Sequence, residues 1–208
     1  TTALGAYALE DNTTANYNTA VGYKASQLNT TGTTNTSVGA FSLQSNTTGD
    51  SNTSIGYSAL DANTTANNNT AVGRSALGAN TTGGQNTGIG KNALLQNTTG
   101  TNNTALGFEA LYTPTTASNN TGVGYRSLYA NTTGIQNVAI GSGALGANTT
   151  ASNNNSIGYQ SLASNTTGTF NNALGNYALG ANTTGGYNTA VGANALDANT
   201  TASHNTAV

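Results

Sequence analysis

The chain has no cysteine, no methionine and no tryptophan, and only one proline and one histidine. Without cysteine there is no disulfide framework, no thiolate nucleophile and no cysteine-held metal centre. Charge is scarce as well. Asp, Glu, Lys and Arg make up 5% of the 208 residues, against about 25% in an ordinary soluble domain. A net charge of −2 offers no basic surface to nucleic acid or to an anionic membrane. No run nears the ~18 consecutive apolar residues of a membrane span, so membrane insertion is not expected. No secretory leader is visible at Thr1, where the chain already stands in mid-pattern, as it would with a segment upstream.

Repetition fills the chain instead. The stretch Asn18-Thr19-Ala20-Val21-Gly22 returns as Asn35-Thr36-Ser37-Val38-Gly39 and Asn52-Thr53-Ser54-Ile55-Gly56, and again at Asn188-Thr189-Ala190-Val191-Gly192. Its closing glycines run from Gly5, Gly22 and Gly39 to Gly192 in steps of 17 (22 − 5, 39 − 22) without an insertion. Residues 1–208 thus read as one array, with units starting at 1, 18, 35, 52, 69, 86, 103, 120, 137, 154, 171 and 188 and a partial unit at 205–208. A low-charge polar chain can be disordered, but disorder has no reason to keep apolar residues in register through twelve units.

Counted from its asparagine, the unit is Asn-Thr-Ala-Val-Gly, two variable residues, Ala-Leu, two variable residues, Asn-Thr-Thr-Gly, two variable residues. Position four is always Val, Ile or Leu; position nine is Leu except at Ser26; position twelve is Asn except at Pro114. All ten charged residues and the aromatics fall in the variable positions, which therefore point outward. Seventeen residues are too few for a helical hairpin, and Gly, Asn and Thr disfavour helix. The expected fold is all-β: a parallel β-solenoid (β-roll or β-helix) of about twelve coils, one per repeat, without caps. Positions two to four form a short strand with the aliphatic residue inward, positions six to nine form a second, and Asn-Thr-Thr-Gly turns the corner. The glycine at position five serves a corner that needs positive φ or close approach.

Stacked asparagines at position one can bond from coil to coil and satisfy turn groups that are otherwise buried. The expected ladder is Asn18, Asn35, Asn52, Asn69, Asn86, Asn103, Asn120, Asn137, Asn154, Asn171 and Asn188. Two aliphatic side chains per unit make a thin core, so a second packed surface against other chains is expected. The small residues at positions three and eight suit close approach of another backbone.

The unit Asn-Thr-Ala-Val-Gly-Tyr-x-Ala-Leu followed by Asn-Thr-Thr-Gly, as in residues 52–66 and 188–202, resembles the repeat of phage tail-fibre-like and bacterial "tail fiber domain" proteins. More loosely, it is similar to the head of trimeric autotransporter adhesins. These resemblances imply an elongated extracellular fibre that attaches to surfaces, with copies of the chain as partners in a trimer; the uncapped pattern suggests, as the alternative, copies stacked end to end in a filament.

Catalytic chemistry finds no foothold. His204 has no repeated acid or nucleophile near it, and Glu10–Asp11, the one adjacent acidic pair, points to opposite faces of a strand. No column of Asp supports calcium, so neither metal nor cofactor is expected. The chain is read as a structural, non-enzymatic protein: an extracellular spacer for surface attachment. The rival reading is a binding module that presents Thr, Asn or aromatic columns to ice or carbohydrate. At positions thirteen and fourteen one Thr should face in and the other out. A Thr-x-Thr pair of ranks is absent. Asn-Thr-Thr at position twelve is also an acceptor pattern for N-linked sugar. Tyr23, Tyr57, Phe108, Tyr125 and Tyr159 are the candidate contacts for a partner or for cell-surface carbohydrate.

Overall fold

A computed structural model describes all residues 1–208. It contains thirteen strands, each two or three residues long, and no helix. They run from β1 (Thr2–Leu4) and β2 (Thr19–Val21) to β12 (Thr189–Val191) and β13 (Thr206–Ala207). All pair in parallel in one sheet in strict chain order. The register is one unit throughout, with Thr2 beside Thr19 and Ala3 beside Ala20, and Val72 beside Ile89. The chain is a parallel β-solenoid, one coil per repeat.

Only one strand forms per coil. Positions six to nine, expected to hold a second strand, belong to a run of turns over positions six to eleven, and Asn-Thr-Thr is a bend. These turns nonetheless pair coil to coil. Of 138 backbone hydrogen bonds, 114 lie outside the strands, so the turns carry most of the stacking. Lys24 N–H donates to Ala6 one coil before it, and Ser26 N–H to Ser42 one coil after it. Swinging those N–H groups onto the stacking axis takes left-handed backbone at positions seven, nine and seventeen, as at Lys24 (φ 56), Leu60 (φ 48) and Thr34 (φ 57). Each such non-glycine residue costs about 1–2 kcal/mol, offset by the bonds it makes available. At position five the chain does require glycine. Gly56 has φ +136, and a Cβ there would sit 2.6 Å from the Gly73 carbonyl oxygen of the next coil.

The interior reverses one expectation. Position three is the inward strand residue: Ala20, Ala71 and Ala105 are fully buried. The aliphatic residue at position four faces out, with Ile55, Leu106 and Leu174 exposed at 40%, 46% and 50%. Period-two alternation allows one inward residue in a three-residue strand centred on position three. The coil is too narrow for more than the small residues of positions three and eight and the leucine of position nine. So positions three and eight pack the coil's own core and offer no surface to another chain. Leu43 through Leu179 stack in one cluster of 20 buried residues, while Leu9, Ala20 and Ala25 form a separate one. Ser26 divides them; its Oγ lies 2.9 Å from that of Ser37, and Leu28, two residues on, stays exposed.

Two asparagine ladders run beside this core. At position one, Oδ1 accepts the backbone N–H of the next coil's asparagine at 2.8–3.0 Å, from Asn18–Asn35 to Asn171–Asn188. Its Nδ2 donates to the carbonyl at position fifteen, as from Asn18 to Gly32 at 2.8 Å. At position twelve the side chains bond directly, Asn46 to Asn29 at 2.7 Å and Asn63 to Asn46 at 2.8 Å. Their Nδ2 groups reach the same position-fifteen carbonyls, as from Asn29 to Gly32 at 2.9 Å.

Pro114 interrupts the second ladder. It has no amide to offer, and Asn97 Oδ1 is left buried without a partner. A buried orphan of this kind costs about 1–3 kcal/mol. Pro114→Asn is therefore expected to stabilise the fold by about that amount, and Asn63→Ala, which orphans Asn46 Oδ1, to destabilise it by a similar amount. Denaturant midpoints at constant slope measure both.

Candidate functional site

The coil leaves four kinds of outward surface, each set by its place in the unit. The first is the strand face. Positions two and four are its outward ranks, Thr beside Val, Ile or Leu, repeated over thirteen rungs with Val138, Asn155 and Asn172 replacing Thr. None of these residues is charged. A Thr-x-Thr pair is indeed missing, but a Thr-x-aliphatic pair of ranks stands on this sheet, unexpected because position four was assigned to the core. Period-two alternation read with the small residue inward was the signal that could have found it.

The second surface is the Thr-Thr bend. Neither threonine is buried, contrary to the expected in–out pair. Alternation belongs to extended strand, and this segment bends. The position-thirteen hydroxyl is committed to the stack: Thr30 Oγ1 donates to the Thr47 carbonyl at 3.0 Å and Thr81 to Thr98 at 3.0 Å. The position-fourteen threonines are exposed along the whole array.

The third surface is the ledge at positions six and seven, where the five candidate aromatics lie. Tyr23 meets Tyr7 and Phe41 edge to face at 5.9 and 5.4 Å, and Phe41 meets Tyr57 at 5.6 Å. Phe108 stacks on Tyr125 at 5.6 Å, and Tyr159 meets Tyr177 edge-on at 5.3 Å. All four cations stand on this ledge over rings: Lys24 over Tyr23, Arg74 over Tyr57, Lys91 over Phe108, and Arg126 over Tyr125 and Tyr129. Arg126 Nε also donates to Glu109 Oε2 at 2.8 Å, a bond that raises the guanidinium pKa further. Five such exposed cation–ring contacts contribute about 0.5–1 kcal/mol each at most. Tyr23, Tyr57, Phe108, Tyr125 and Tyr159 thus pack along the rod, with 37–52% of each still open to solvent.

The fourth surface is the far side, positions ten and eleven, and the adjoining edge at seventeen. Tyr112 stacks on Tyr129 at 5.2 Å. Phe170, Tyr187 and His204 form a second stack, the imidazole parallel to Tyr187 at 5.1 Å. Burial pushes the Asp61 carboxyl above the usual carboxylate range. A shallow groove of about 430 Å³ opens where Gly180 lacks a side chain, bounded by Tyr177, Asn194, Asp197, Ala181 and Ser164. No three His, Cys, Asp or Glu side chains gather where a metal ion could sit, and Glu10 is occupied by Gln27 at 2.6 Å.

Nine of the eleven position-twelve asparagines are closed to sugar, the end ones, Asn12 and Asn199, being partly exposed. Asn29, Asn46, Asn63, Asn80, Asn97, Asn131, Asn148, Asn165 and Asn182 have no solvent exposure, and their amides are spent on the ladder. No family model, curated protein or solved structure matches the chain.

Expression through a glycosylating secretory pathway is expected to leave these nine asparagines unmodified in the folded protein. Peptide mass spectrometry showing sugar on Asn63 or Asn80 would contradict the ladder.

Proposed function

We propose that this chain is a structural segment of an extracellular fibre, a rigid spacer that holds an attachment surface at a distance. The observation that carries the reading is the unbroken sheet: thirteen strands in one order and one register, flanked by two amide ladders. Twelve steps at the ~4.8 Å strand spacing make a rod about 58 Å long. Every coil is held to its neighbours through backbone and side chain alike, which resists bending and extension. The likeness of the unit to tail-fibre-like repeats points the same way. A further coil pairs onto β1 or β13 in the same register, so copies of this unit are the natural axial partners.

Small-angle scattering of the isolated chain is expected to give a rod of about 58 Å, and electron microscopy of native material, fibres of one width. A compact, isotropic particle in both would end the reading.

A second reading, a module that binds carbohydrate on its aromatic ledge, is favoured by the groove beside Tyr177, where a ring, an acid, an amide and a hydroxyl converge. Rings stack on sugar faces while such polar groups bond hydroxyls. Retention on a glycan array that is lost in Tyr177→Ala, with the rod intact, is its signature. Equal retention of Tyr177→Ala rejects the groove as the site.

A further inference from the structure

The strand face is a part of the rod whose chemistry its own fold does not use. It presents an aliphatic column from Leu4 to Val208 beside a threonine column. Ile55, Ile89, Ile140 and Ile157 are 37–40% exposed within the body of the array, away from its ends. Positions two and four carry no charge in any unit, while all ten charged residues lie elsewhere. A contiguous apolar column free of charge marks an interaction site.

We infer that this face binds the same face of a second copy of the chain. The inference adds a lateral partner to the fibre reading and rests on it for the chain's structural role. Three features single out a second copy. The first is the match of repeats: rungs ~4.8 Å apart fit between rungs of equal spacing over the whole length, and only locally against a surface without that period. The second is area. A strand of three residues is about 10 Å wide, so the face covers roughly 580 Å², and a pair of faces buries close to 1,200 Å², the lower bound of specific interfaces. The third is the low loss on association. Thr, Val and Ile are stiff at χ1, so few rotamers are frozen, and no charge is stripped of water. The flanking ledge keeps Lys24, Arg74, Lys91 and Arg126 off the face by holding them over rings. This surface replaces positions three and eight, which the fold has sealed inside the coil.

The test is the mass of the purified chain by light scattering, over a concentration series. A multiple of 20.6 kDa is expected. The variant Ile55→Lys/Ile89→Lys/Val123→Lys/Ile157→Lys should fall to 20.6 kDa with its β-sheet circular dichroism kept. The same number of lysines at Thr48, Thr82, Thr133 and Thr167, exposed on the bend, should leave the multiple unchanged. Should the face variant fail to fold, a second readout remains, because the chain has no cysteine of its own. Leu106→Cys, on the middle rung, should be joined to a second copy by a short bismaleimide in most molecules, and Thr133→Cys in few. A wild-type chain of 20.6 kDa at all concentrations overturns the inference, whether or not that monomer shapes ice crystals or binds sugar. So does a multiple that survives the face variant. A monomer that is still a rod leaves the spacer reading standing.

Discussion

The asparagine carboxamide is what the stack depends on. In a solenoid of very short strands, most of the backbone lies in turns, and its polar groups still have to be paired once buried. Asn combines an acceptor and a two-proton donor on a short, planar side chain. At position one its oxygen takes an N–H from the next coil while its nitrogen caps a carbonyl of its own coil, as Asn35 does toward Asn52 and Gly49. At position twelve it links to its counterparts on either side. Two columns of one residue type thereby tie the strand, the bend and the adjacent coils together. An insertion would have to loop out of its coil to leave the rungs on either side in line, and the array has none.

Once the axial bonds are set, the rest of the unit follows from lack of space. Backbone N–H groups that must point along the axis force left-handed turns at Leu60 and Lys24, and glycine where coils approach most closely. The interior that remains is filled by one leucine and two small side chains per coil. The second aliphatic column cannot enter and lies on the outer face of the sheet. With so few charges, the surface is organised by ring stacking and by cations placed over rings. Arg126 lies over Tyr125 and Tyr129 and bonds Glu109.

The breaks in the pattern are as informative as the pattern. Pro114 leaves Asn97 Oδ1 unpaired, and Ser26 splits the leucine column into two clusters. Neither stops the coil from forming, since the backbone bonds on both sides continue. Stability in such an array is a sum over neighbouring units, so a defective rung is carried by its neighbours.

Much of this was legible in the sequence. The period, the parallel stacking, the strand at positions two to four, the glycine corner and the asparagine ladder all follow from residues that recur at fixed spacing, because identical coils must place identical residues above one another. The outward aromatics, Tyr23 to Tyr159, were legible too, since variable positions cannot be core. Which aliphatic column is inside was not. Val, Ile and Leu at position four and Leu at position nine have equal claims by hydrophobicity alone. The choice depends on the width of the coil, and that width depends on the left-handed turns at positions seven, nine and seventeen, where Lys, Leu, Ser and Thr give no local sign of their conformation. Only the closed coil, with its backbone bonds drawn onto one axis, decides that Leu60 is buried and Ile55 is not.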